Sequence, residues 1–311
     1  MWMPDLPPTL VRLLTPQLDA TSAFPAVALL ALVAYLAGVR SLHRRRMPWP
    51  WHRTASFVVG IVTVLLVTAT QVMGYAMTLF SVHMLQKMVL TVLSAMLLML
   101  GAPVSLAIRT LPRNRAGGLA RRLLLGTLRS RTARTLAHPA VTTAIFIGSL
   151  YGIYFTPLFD LLMRSSAGNV AMLVLFLGTG LLAFGGAFAI GPWPHRPSPP
   201  ARMVELMAPG PLHAFFAVAV MMASRPLVQT FAHPPAGWNV DVMTDQLAAG
   251  NIIWGFGELP TILAFAVVYV QWVRDDQRRT PAADRRADAD LAAYNAHLAR
   301  LAAGDHPPTR P

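Results

Sequence analysis

Seven stretches dominated by apolar residues, most of them close to the length that crosses a lipid bilayer, constrain this chain more than any other feature. About 20 residues at 1.5 Å each span the hydrocarbon core, so 18 or more apolar residues with few charges read as a transmembrane helix. The stretches run roughly over 24–40, 55–80, 86–108, 140–160, 168–190, 211–231 and 249–272. The first of them, around "FPAVALLALVAYLAGV", is short for a full crossing. Composition agrees with a membrane setting: of 311 residues, 55% are hydrophobic and 13% charged, with a mean hydropathy of +0.50. The expected fold is all-α, a polytopic membrane bundle of about seven transmembrane helices. It divides into a short outer N-terminal segment (1–23), the transmembrane domain (24–272) and a charged cytoplasmic tail (273–311). In the tail, Leu291, Tyr294, Leu298 and Leu301 recur at helical spacing, so it is expected to be partly disordered or marginally helical.

The positive charge sets the expected orientation. All but four of the 26 basic residues (Arg12, Lys87, Arg164 and Arg225) fall in the first, third and fifth loops or the tail if the N-terminus is outside. Cytoplasmic loops carry the Lys/Arg excess, so this reads as N-terminus outside and C-terminus inside. The net charge of +13 is thereby explained by topology rather than by nucleic acid, and no nucleic-acid partner is expected. The N-terminus lacks a basic n-region and a small-residue cleavage site, so no signal peptide is expected. The segment "GGLARRLLLGTLRSRTARTLAHP" interleaves leucine with arginine. It reads either as an amphipathic helix on the inner leaflet's lipid or as a solvated basic loop. No cysteine is present, which excludes disulfides, thiolate metal sites and thiol catalysis.

Few polar residues enter the spans, and such residues are expensive in lipid and often functional. Helix two approaches the outer side with Met73 and Met77 at i, i+4, on one helical face. After a turn near Ser81, helix three opens with "SVHMLQKMVL". There His83 and Lys87 share a face, as do Met84 and Met88. Thioethers and an imidazole suit Cu(I), a soft ion. The bland alternative is that methionine fills apolar helices and the histidine is hydrogen-bonded or solvated at a helix end. Lys87, the only lysine, is expected to snorkel to water or to pair with Asp160, Asp241 or Asp245. A retinal-type Schiff base is rejected because the seventh span holds no lysine.

Glu258 lies deep in the seventh span, in "DQLAAGNIIWGFGELP", among glycines and before a proline. It reads as a proton carrier, a ligand, or a structural acid partnered by Asn251, Gln246 or His213. His213 in "PGPLHAFF" begins helix six on the inner side, away from the outer cluster. No phosphate-binding glycine loop and no His-Glu-x-x-His pair occurs, and no enzymatic turnover is expected.

Five stretches in order, "HMLQKMVLTVLSAMLLMLGAPVSLAIRTLP", "SRTARTLAHP", "SLYGIYFTPLFD", "PLHAFFAVAVMM" and "DQLAAGNIIWGFGELP", resemble the bacterial CtaG-type cytochrome c oxidase assembly factors, a seven-span family. The resemblance covers most of the chain from about residue 80 to 265. It implies an inner-membrane, multi-pass protein that matures a haem-copper oxidase by delivering or inserting copper on the outer side. Oxidase subunits or other copper chaperones are the implied partners. His83 and His213 match the family pattern. Lys87 stands where the family has a second histidine. The start of helix five offers Asn169, Leu173 and Leu175 where the family is histidine-rich. Two expectations follow: a thioether-dominated Cu(I) site of His83, Met84, Met88, Met73 and Met77, or a scaffold paralogue without metal that binds oxidase subunits. A proton-coupled transporter using Glu258 is a third, lower-ranked reading.

Overall fold

Hydropathy dictates helix in this chain because backbone N–H and C=O groups in lipid must bond within their own segment. A computed structural model describes residues 4–17, 23–112, 115–194 and 198–302. Among them the only β pairing is an isolated antiparallel bridge between Pro16 and Thr70. Seven helices form the body: α1 (Ala23–Arg44), α2 (Trp51–Thr68), α3 (Phe80–Thr110), α4 (Pro139–Tyr154), α5 (Ser166–Phe188), α6 (Gly210–Met222) and α7 (Val242–Ala302). Six helical stretches among the described residues are long and apolar enough to cross a membrane; α6 reaches that length by continuing a helix from Pro200. The exception is α4, whose 16 residues extend about 24 Å. The two units of the chain are Met1–Phe265 and Ala266–Pro311. In the second, Leu291, Tyr294, Leu298 and Leu301 are helical and exposed.

The central helix is α3, the most buried of the candidate spans, which packs against α2 on one side and α5 on the other. Its regularity breaks at a π-helical segment, Val89–Ser94, which inserts an extra residue per turn immediately after Met88. Such segments are uncommon and recur at functional sites. Opposite this break α5 comes very close: a Cβ on Gly180 would overlap the Thr91 carbonyl oxygen. Glycine is what allows that approach.

One end of the bundle is knitted together by loops. Asp245, at the start of α7, accepts hydrogen bonds from the Phe80 amide (2.7 Å) and from the Ser81 amide and hydroxyl. It thus caps α3 from another helix, satisfying amides that a helix N-terminus leaves orphaned. Asp160 accepts from the Thr230 amide at 2.9 Å and hydroxyl at 2.6 Å. Gln246 accepts from the Leu227 amide at 2.9 Å and donates to the Val220 carbonyl at 3.3 Å.

The same end corrects the expected span over 55–80. Helix α2 stops at Thr68, and Met73 sits in a separate short helix, Val72–Tyr75. Met77 follows in a turn. The cause is tertiary: the Ala69 carbonyl accepts from the Gln17 amide, and the Gln71 amide donates to the Thr15 carbonyl. Those bonds draw the chain away from helical pairing. Met73 and Met77 therefore share no continuous helical face.

Candidate functional site

The i, i+4 spacing on α3 predicts a common face for His83 and Lys87, and that face points into the bundle. His83 is 2% exposed and Lys87 1%. The His83 ring is enclosed by aromatic rings of Tyr154, Phe159, Phe176 and Phe231, at centroid distances of 4.9 to 6.0 Å. Its Nε2 lies 2.7 Å from the Tyr154 hydroxyl, and the ring is also hydrogen-bonded to the backbone at Ala76. Burial of an imidazole without such partners would cost about 1–3 kcal/mol, so these bonds explain how a histidine is tolerated here.

Lys87 does not snorkel. Its Nζ has no hydrogen-bond partner among the described residues. It lies over the Tyr154 ring at 4.2 Å, the Phe176 ring at 5.0 Å and the Phe216 ring at 5.8 Å. The negative ring faces supply the attraction that a carboxylate was expected to give. Asp160 and Asp245 are committed to loop and cap hydrogen bonds, and Asp241 caps α7 through Thr244. The reason is register: Lys87 is about two turns into α3, on its buried face, too deep for its four-carbon stem to reach the end of the bundle.

Met84 and Met88 are fully buried, and Met73 and Met77 are nearly so. The Gln86 amide donates to the Met73 sulfur at 3.2 Å and to the Val67 carbonyl at 2.7 Å. Among the described residues no group of three or more His, Asp or Glu side chains gathers as a metal cluster. His213 lies on α6 with its ring stacked near Phe146, at 6.0 Å between centroids. The Tyr154 hydroxyl at His83 Nε2, the Lys87 amine over the Tyr154 ring and its approach to Phe216, one turn from His213 on α6, form a buried polar file. Asn169 is buried at the start of α5, with an Nδ2 that has no partner among the described residues. Of the expected partners of Glu258, Asn251 faces outward and Gln246 is bonded to the end of α6. The side chain of Glu258 itself lies outside the described residues.

Three contributors to this file were missed in the sequence: Tyr154, Thr91 and Glu205. Glu205 carried a usable signal, being the one acidic residue between Asp160 and Asp241. Tyr154 carried none, since a tyrosine at the end of an apolar helix reads as an interfacial anchor.

The fold and these residues define a multi-pass helical membrane protein with a set of polar side chains buried inside its bundle. Within that class, the chain belongs to the cytochrome c oxidase caa3 assembly factor (Caa3_CtaG) family, matched over residues 33–275. It is 36% identical over 304 residues to uncharacterized proteins of Mycobacterium bovis (Mb0105) and Mycobacterium tuberculosis (MT0111), covering 95% of this chain and 46% of each relative. A Mycobacterium leprae relative (ML1998) is 35% identical over the same length. The chain thus spans about half the length of the curated relatives it matches. No solved structure matches it.

Proposed function

We propose that this chain serves the assembly of a haem-copper terminal oxidase from within a bacterial inner membrane, handling copper as cargo on the outward-facing side. The observation that carries the reading is the family match across residues 33–275, with His83 in place at the head of α3. The arginine distribution supports the orientation that puts this end outside. In the copper version, His83 supplies an imidazole and the fully buried Met84 and Met88 supply thioethers, a donor set suited to Cu(I). Ligation at Nε2 requires the Tyr154 hydroxyl to turn away from its 2.7 Å contact. Release of the ion is then the return of that hydrogen bond.

A second reading is favoured by the same contact. The His83 ring is hydrogen-bonded to the Tyr154 hydroxyl and to the backbone at Ala76, which suits a structural histidine in a scaffold that binds oxidase subunits without metal. Copper analysis of the purified full chain, loaded under reducing conditions, separates the two. About one copper per chain, lost in His83→Ala, supports copper handling. A copper-free wild type, with His83→Ala still restoring oxidase assembly to a deletion strain, supports the scaffold.

A further inference from the structure

A second group of buried polar atoms lies away from the His83 end, around a cavity of about 90 Å³. Its lining includes Thr91 from the π-helical segment of α3, Phe146 of α4, Phe184 of α5, Glu205, His213 of α6 and Phe256 of α7. Three of these carry polar atoms that meet no partner among the described residues: Thr91 Oγ1, His213 Nε2, and both carboxylate oxygens of Glu205. All three side chains are deeply buried, at 2%, 6% and 9% exposure. Unsatisfied buried polar groups cost about 1–3 kcal/mol each, and native proteins leave few of them. Several converging on one cavity mark a place where something else completes the hydrogen bonding.

The chemistry of the wall narrows what that is. A carboxyl group accepts hydrogen bonds whether or not it is ionised, so an occupant that donates can pair with Glu205. The Arg202 side chain lies one turn earlier on the same helix. His213 lines the cavity, and its Nε2 is fully buried without a partner among the described residues. The rest of the wall is apolar and aromatic. Thr143, Phe146, Leu206 and Pro209 of its lining are half-buried, so the cavity is not fully enclosed. A mostly apolar pocket with a few convergent polar groups is the usual form of a small-molecule site.

We propose that this cavity binds the head group of a lipid-soluble aromatic alcohol of the hydroquinone class. One ring hydroxyl donates to Glu205, and His213 Nε2 and the Thr91 hydroxyl bond the remaining polar atoms. The ring lies among Phe146, Phe184 and Phe256, and its substituents leave through the half-buried part of the wall. This site is separate from His83 and holds whether or not copper is handled there.

The test uses the full chain in nanodiscs, with protein-free nanodiscs to subtract partitioning. Equilibrium dialysis compares methylhydroquinone, kept reduced by ascorbate, with its dimethyl ether, which has the same ring and no donor. The expected result is saturable binding of about one methylhydroquinone per chain, about tenfold tighter than the ether, as leaving a buried acceptor unpaired predicts. Glu205→Leu, which removes both acceptor oxygens, is expected to bring the ratio close to one. Thr91→Val, which keeps the volume, is expected to weaken the hydroquinone a few-fold with an unchanged helical circular dichroism spectrum. Equal binding of the two probes, no saturable binding to wild type, or a preference that survives Glu205→Leu overturns the proposal.

Discussion

Replacing Lys87 by methionine is expected to make the protein more stable. The amino group is 1% exposed and has no hydrogen-bond partner among the described residues. Holding an unpartnered polar group in such a place costs about 1–3 kcal/mol on mutational scales, and more if it is charged. Against this stand the contacts with the rings of Tyr154, Phe176 and Phe216, the nearest at 4.2 Å. Desolvated contacts of this kind return about 2 kcal/mol. Methionine keeps an unbranched side chain of similar volume and packs well against aromatic rings, so little packing is lost. A charged amine costs several kcal/mol to bury, more than the rings return, so the net expectation is a gain of about 1–2 kcal/mol. Thermal melts of wild type and Lys87→Met at one scan rate, with Lys87→Ala as the reference for an empty cavity, read this as a Tm several degrees higher for the methionine variant. If Lys87→Met is as destabilised as Lys87→Ala, the amine has a partner in the working protein and the account of this file is wrong.

Other expectations follow from single contacts. Tyr154→Phe removes the hydroxyl at 2.7 Å from His83 Nε2; in the copper reading it is expected to raise Cu(I) affinity about tenfold in a competition titration. Gly180→Ala forces a methyl group onto the Thr91 carbonyl and is expected to cost about 1–3 kcal/mol in detergent unfolding. Asp245→Ala uncaps α3 and is expected to cost about 2 kcal/mol, with faster hydrogen exchange at the Phe80 amide. Asp241 is held below the ordinary carboxylate range by the Thr244 hydroxyl and then by the Thr244 amide. Its contribution is therefore present above the unfolded carboxylate value and is lost as pH falls through the lowered one. Exchange at the Thr244 amide should accelerate over that acid window, and Asp241→Ala should remove the pH dependence.

How much of this was legible in the sequence depends on which forces place a residue. The helices were legible, because apolar length alone forces them in lipid, and the face shared by His83 and Lys87 followed from helical period, though its burial did not. The end of α2 at Thr68 was not. It is set by backbone bonds to Thr15 and Gln17, more than 50 positions away, and no local pattern encodes such pairing. Lys87 was misplaced because its depth depends on where α3 begins, which Asp245 fixes from α7. The π-helical segment carries an ordinary apolar sequence, "VLTVLS", so the position it gives Thr91 could not be read in advance. The cavity around Glu205 needs contributions from five helices, and only the isolation of that one acid hinted at it.

The most direct measurement of the central claim is the amount of assembled, active haem-copper oxidase in membranes of a strain from which this chain has been deleted. The account predicts that oxidase activity and its haem absorbance fall sharply, and that the wild-type chain supplied in trans restores both. Normal oxidase in the deletion strain, under copper-limited as well as copper-replete growth, would contradict it.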